Sequence, residues 1–140
     1  MRAVVLRSHG GPEVLTIEEV DDPTPDREEI VVDVRHTAIN RADVLQRMGM
    51  YPDPRGRAIE IPGLEFAGVV SAVGAGVDGL SEGDEVVLAP GLSCGRCEAC
   101  ACGRDNLCKR YGILGETRDG TNAEYVVVPA VNALHKPESL

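Results

Sequence analysis

Aromatic residues are nearly missing from this 140-residue chain, which has no tryptophan, one phenylalanine and three tyrosines. Any aromatic that lies in a cleft therefore stands out. Positive charge is also short, with 14 Lys and Arg against 23 Asp and Glu, for a net charge of −9. That balance argues against a nucleic-acid binder, whose affinity rests on neutralising phosphates. Long apolar runs are lacking as well, and nothing approaches the roughly 20 residues of a membrane span. Met1 to Leu6 is too short for a signal peptide, and no small-residue cleavage site follows it. A soluble cytoplasmic protein is expected. The length suits one domain, and a hydrophobic content of 43% allows an ordinary core.

The charges that are present are uneven. Residues 13–29 hold eight acids and one base, Arg27, whereas residues 35–57 hold five arginines against Asp43 and Asp53. The plain reading is solvated faces; the sharper one is a basic rim that attracts an anionic substrate group.

The pattern along the chain is mainly β. Ile30, Val32 and Val34 alternate at strand period, and Leu15 to Val20 reads as a half-buried strand. The first segments look like an antiparallel meander. Asn40 to Met48 switches to helical spacing, with Asn40 as cap, Asp43 in the first turn and Gly49 as the stop. Tyr51 to Gly56 is a proline-rich loop. Leu64 to Val73 reads as a buried strand in which Gly68 marks a bulge or a close backbone approach. Further strands are expected at Asp84 to Ala89, Glu124 to Val128 and Val131 to His135. Six to eight strands, one short helix and frequent turn residues suggest a small barrel or sandwich.

Gly74-Ala75-Gly76-Val77-Asp78-Gly79 spells G-x-G-x-x-G after an apolar strand. A dinucleotide site needs that motif to open a helix. Here Gly83 starts the next strand almost at once, so a hairpin-type loop is expected and no dinucleotide-binding unit.

The most specific feature is the run Cys94, Cys97, Cys100 and Cys108, spaced C-x2-C-x2-C-x7-C. Clustered thiols in a cytosolic protein point to a metal rather than to disulfides. Zinc takes four tetrahedral ligands, and four protein ligands leave no open position, so the site is structural. Arg96, Arg104, Lys109 and Arg110 outnumber Glu98 and Asp105 around it, which offsets the −2 of a zinc tetrathiolate. An iron–sulfur cluster and a redox set are the other readings. Cys102 either replaces Cys100 as a ligand or stays free.

The cysteine spacing resembles the structural zinc lobe of the medium-chain dehydrogenase/reductase superfamily, the zinc-type alcohol dehydrogenases. Gly63-x-Glu65-x-x-Gly68-x5-Gly74-x-x-Val77 and Gly83-Asp84-x-Val86 are similar to that family's signature. The resemblance covers residues 1–140 and implies a GroES-like, partly open β-barrel with a protruding zinc lobe at about 92–112. It also implies that the Rossmann cofactor domain lies outside this chain, so these residues alone should not bind NAD(P)H tightly. A small-molecule substrate and a homodimeric or homotetrameric full-length enzyme are implied in the same way.

The departures from the pattern concern the second, catalytic zinc of that family. Asn40 stands where the pattern has Cys, and Leu64 where it has His; only Glu65 remains. No catalytic zinc is expected. Asn40 to Pro52 resembles instead the zinc-independent quinone oxidoreductase branch, which implies hydride transfer from NAD(P)H to a quinone, an enone or a related carbonyl. Asn40 and Tyr51 are the candidate catalytic residues, as hydrogen-bond donors to a developing oxyanion, with the Asn40 NH2 left free when its side-chain oxygen caps the helix. Asp43 and Glu65 are expected to be structural, beside Arg41 or Arg47, and Gln46 and Arg47 are weaker candidates for the cleft. The rivals are a zinc alcohol dehydrogenase with an atypical site and a non-enzymatic GroES-like or zinc-stabilised binding module.

Overall fold

The computed structural model describes residues 1–56 and 59–139. Strands β1 (Arg2–Leu6) and β2 (Leu15–Glu19) form an antiparallel hairpin. The central sheet is built from five antiparallel strands: β3 (Glu29–His36), β4 (Ala67–Val73), β5 (Glu85–Leu88), β8 (Tyr125–Pro129) and β9 (Ala133–His135). They lie in the order β8-β3-β4-β5-β9. The sheet does not close, and β8 and β9 are its edges. Between β5 and β8 the chain makes an excursion whose base is the short pair β6 (Gly91–Leu92) and β7 (Gly112–Ile113). The mainly β, partly open barrel with a protruding cysteine lobe is thus the observed architecture.

The expected meander fails at its second step, because β2 pairs with β1 alone and β3 pairs with β4 and β8. Residues 21–26 carry Pro23 and Pro25, which cannot extend a ladder. The hairpin joins the rest of the barrel instead through Val4 N–H to Asn122 O at 2.8 Å and an isolated pairing of Ala3 with Ala123. The strand expected from Leu64 starts at Ala67. Gly63 sits at φ +112, the left-handed region, and turns the chain just before it.

Alternation puts Ile30, Val32, Val70, Val86, Val126 and Val128 on the inner face, where Phe66, Leu114 and Ala133 complete the core. Phe66 is the single aromatic there. Leu114 is fully buried directly after β7, so the foot of the excursion is anchored in the core. Gly68 shows both expected features. A Cβ there would lie 2.4 Å from Asp33 O, and the β3–β4 register slips between Val34 and His36 opposite it.

The Gly74–Gly79 run opens no helix. It turns back against residues 26 and 27, where Gly76 N–H donates to Arg27 O at 2.7 Å, and the next regular element is β5. A Cβ on Gly74 would meet Asp26 O at 2.0 Å, which accounts for glycine at that position without any phosphate. Among the described residues no helix is long and apolar enough to cross a membrane.

Candidate functional site

The excursion gathers four thiols. The Sγ atoms of Cys94, Cys97, Cys100 and Cys108 all lie within 4.8 Å of one another. Cys97 and Cys100 are 3.5 Å apart, and Cys94 and Cys100 are 4.0 Å apart. A tetrahedral zinc with Zn–S bonds of about 2.3 Å requires S···S edges of about 3.8 Å. The spacing fits one ion and is far beyond the roughly 2.05 Å of a disulfide. Among the described residues this is the one convergent group of three or more His, Cys, Asp or Glu ligands. Cys97 caps the single-turn helix α2 (Glu98–Ala101), so Cys97 and Cys100 face one point three residues apart. Cys102 is exposed and stands outside the group.

The backbone around the lobe is set up for thiolates. Cys108, buried at the base, accepts the Cys94 N–H at 3.4 Å and the Arg110 N–H at 3.3 Å. The Arg96 backbone N–H, together with Arg110, holds the Cys94 thiol down to about 5. A hydrogen bond from the Cys100 backbone lowers Cys97, while burial pushes Cys100 up to about 11. Four thiolates therefore cannot coexist comfortably without a cation, and a divalent ion relieves that conflict.

The second region lies around helix α1 (Arg41–Arg47), at the N-cap position of which stands Asn40. Asp43 is buried and accepts two backbone N–H groups, Asn40 at 2.6 Å and Gly63 at 2.9 Å. It therefore ties the helix start to the turn before β4, and among the described residues no arginine pairs with it, contrary to the sequence expectation. A Cβ on Gly63 would come within 2.5 Å of Thr121 Oγ1, so the carboxylate can reach that N–H only because the residue is glycine.

The Asn40 NH2 is not free. It donates to Glu65 Oε1 at 2.6 Å, and its other directed acceptor, Ala38 O, is 3.5 Å away. The positions where the family pattern has Cys and Glu are thus joined by an amide–carboxylate bond. Tyr51 likewise faces a carboxylate, because the fold brings Glu116 beside it. Burial raises the affinity of both Tyr51 and Glu116 for their protons. Glu116 escaped the sequence reading, since only the fold brings residue 116 to residue 51. Asn40 precedes α1 and Tyr51 follows it, and each faces its own carboxylate.

Among the described residues, three arginines of this stretch are engaged by the chain itself. Arg35 pairs with Asp33 at 2.8 Å, Arg47 donates to Gly10 O, and Arg55 donates to Arg110 O and Tyr111 O. Arg57 lies outside the described residues. Gln46 is buried, bonded through Nε2 to Gly115 O, and so supports the fold rather than a cleft. Arg47 does line a groove of about 580 Å³, with Leu15, Ile17, Ile39 and Val44, but neither Asn40 nor Tyr51 opens onto it.

Asp43 gives a prediction for stability. Burial raises its carboxyl above the ordinary range despite the two N–H bonds. The folded state therefore holds that proton more tightly than the unfolded chain. The stability this group contributes is full below the ordinary carboxylate pKa and is lost as pH rises through the folded value. Asp43→Asn sets an NH2 against one of two N–H donors and should cost about 1–3 kcal/mol. Urea denaturation between pH 4 and 8 should show both that loss and a flatter profile.

The comparisons with known proteins agree with this geometry. The chain matches the alcohol dehydrogenase GroES-like domain over residues 26–138. It is 38% identical to an alcohol dehydrogenase of Schizosaccharomyces pombe over 139 residues, 99% of this chain and 39% of that protein. An L-threonine 3-dehydrogenase of Pyrococcus furiosus is 37% identical over 87% of this chain and 35% of its own length. Among solved structures, an NAD-dependent alcohol dehydrogenase superposes with a TM-score of 0.90 at 51% identity, covering all of this chain and 40% of that one. The chain therefore spans about two-fifths of the length of the relatives it matches.

Proposed function

The chain belongs to the alcohol dehydrogenase GroES-like domain family, and we propose on that premise that it is the substrate domain of an NAD(P)-dependent oxidoreductase that reduces a quinone, an enone or a related carbonyl compound without a catalytic zinc. One contact carries the reading: the Asn40 amide bonded to Glu65 at 2.6 Å. Asn40 and Leu64 replace the Cys and His of the family pattern, and the remaining carboxylate already accepts an amide N–H. Leu64 has no lone pair to offer a metal, and zinc sites of this class need three protein ligands beside the open position.

Cys94, Cys97, Cys100 and Cys108 would hold one structural zinc, whose contribution is to fix the lobe. NAD(P)H supplies a hydride when bound. The described residues form no dinucleotide-binding unit, so its binding is assigned to a Rossmann domain in the length of the relatives that this chain does not span. A cytoplasmic homodimer or homotetramer acting on a small molecule accords with the resemblance.

The residues of this chain would position the substrate and supply donors. Without a Lewis acid, negative charge developing on a carbonyl oxygen has to be met by hydrogen bonds. Asn40 retains a second amide N–H, held only loosely toward Ala38 O. Tyr51 can donate outward when Glu116 carries its proton and donates to the phenol oxygen. The burial that raises Glu116 favours that arrangement.

A second reading, alcohol oxidation at an atypical metal site, is favoured by the relatives' names, which are alcohol and L-threonine dehydrogenases. The enzyme carrying this domain separates the two. With NAD(P)H and a series of quinones and enones, Asn40→Ala should lower kcat/KM by about 100-fold, the loss typical of one oxyanion donor. Turnover of alcohols alone, abolished by a chelator that leaves the four-cysteine lobe intact, would establish the second reading instead.

A further inference from the structure

The loop that carries Tyr51 and the cysteine lobe come from distant parts of the sequence and meet at two points. Arg55 Nη2 donates to Arg110 O at 3.0 Å and to Tyr111 O at 2.7 Å. These carbonyls belong to the second and third residues after Cys108. The Arg110 N–H donates to Cys108 Sγ at 3.3 Å, and the Tyr111 N–H closes a turn on Cys108 O at 2.9 Å. The metal-facing thiolate therefore sets the backbone that presents both carbonyls to one side. The second point is Tyr51, which lies beside Glu116.

No regular structure holds the loop. Pro52 and Pro54 bring no N–H, and residues 51–56 form neither strand nor helix. Its own turn is built on the buried Asp53, whose Oδ1 accepts the Arg55 N–H at 3.0 Å and whose carbonyl accepts the Gly56 N–H at 2.9 Å. Arg55 is thus fixed at its backbone by this turn and at its guanidinium by the lobe. Arginine suits the second task, because one planar NH2 presents two hydrogens to two successive carbonyls.

We infer that Arg55 is a positioning residue, a latch that fastens the Tyr51 loop to the chain leaving Cys108, so that the loop is ordered only while the lobe is closed around its metal. What that order does for catalysis rests on the proposed role of Tyr51; the latch itself does not. The family reading gives the zinc the task of fixing its own lobe. The contacts of Arg55 extend its reach to the loop that carries Tyr51.

Hydrogen exchange read by mass spectrometry, on the zinc-loaded chain, on the chelated chain and on zinc-loaded Arg55→Ala, tests the latch. In zinc-loaded R55A, amides 55 and 56 should exchange about tenfold faster, while the lobe, β3 and a zinc content of one per chain stay unchanged. The ultraviolet titration of Tyr51, isolated by difference against Tyr51→Phe, should shift down as the phenol loses its cover. Chelation of the wild type should free the loop to the R55A level, and chelation of R55A should free it no further. The inference is overturned if R55A leaves amides 55 and 56 as protected as in the wild type, or if chelation loosens the lobe while the loop stays closed. Should chelation also loosen β3, the zinc-loaded R55A arm decides alone. Inactivity toward quinones would remove the proposed reaction and leave these exchange results standing.

Discussion

Replacing Asn40 by cysteine together with Leu64 by histidine should raise the metal content of the protein from one zinc per chain to two. The double change restores two of the missing ligand types at the positions where the family pattern has them. It also frees Glu65, which now accepts the Asn40 amide at 2.6 Å. The surrounding backbone is already fixed: Asp43 holds Asn40 N–H and Gly63 N–H from one buried carboxylate, which sets the start of α1 against the approach to β4. Thiolate, imidazole and carboxylate with one open position make an ordinary catalytic zinc set. Cobalt loading adds a second readout, because a new thiolate-bound cobalt absorbs in the visible. Either single variant should stay near one metal, since two protein ligands hold zinc poorly. A double variant that binds no second metal would mean that the site was lost in the backbone and not in two side chains.

The other large effect concerns Cys108. Cys108→Ser should remove the zinc from dialysed protein and speed exchange in residues 94–110 by roughly a hundredfold or more, as the lobe passes from ordered to locally open. Cys108 is the buried member of the set and accepts two backbone N–H groups, so its loss removes a metal ligand and an acceptor together. The central sheet should remain folded. Its core is closed by Ile30, Val32, Val70, Val86, Val126 and Val128, none of which belongs to the lobe, and Leu114 anchors the far foot independently of the metal. Circular dichroism of the strands and exchange in β3 follow the sheet. Loss of both with the zinc would mean that the lobe supports the core.

Which parts of this were legible in the sequence follows from the range of the interactions. The cysteine spacing is local, and a tight turn with a four-residue helix is enough to gather three thiols. The Asn40 cap, the Gly49 stop and the helix-free glycine run are local too, and each was readable. The β2–β3 break was not, because a strand's partner depends on where the whole hairpin docks, here on residues 122–124. The states of the two candidate donors were not readable either. Asn40 meets Glu65 across 25 residues, and Tyr51 meets Glu116 across 65. In a chain this acidic, a donor near the surface readily finds a carboxylate, and only the fold says which one. The arginines of residues 35–57 make the same point: composition groups them, but most are engaged by carbonyls or acids of their own chain.

A single, structural zinc is the claim that a count of metals tests. Zinc analysis of the purified wild-type protein, set against its concentration, should give about one per chain, released only by conditions that free the thiols of Cys94, Cys97, Cys100 and Cys108. Two zincs per chain, with the second held when those cysteines are blocked, would contradict it.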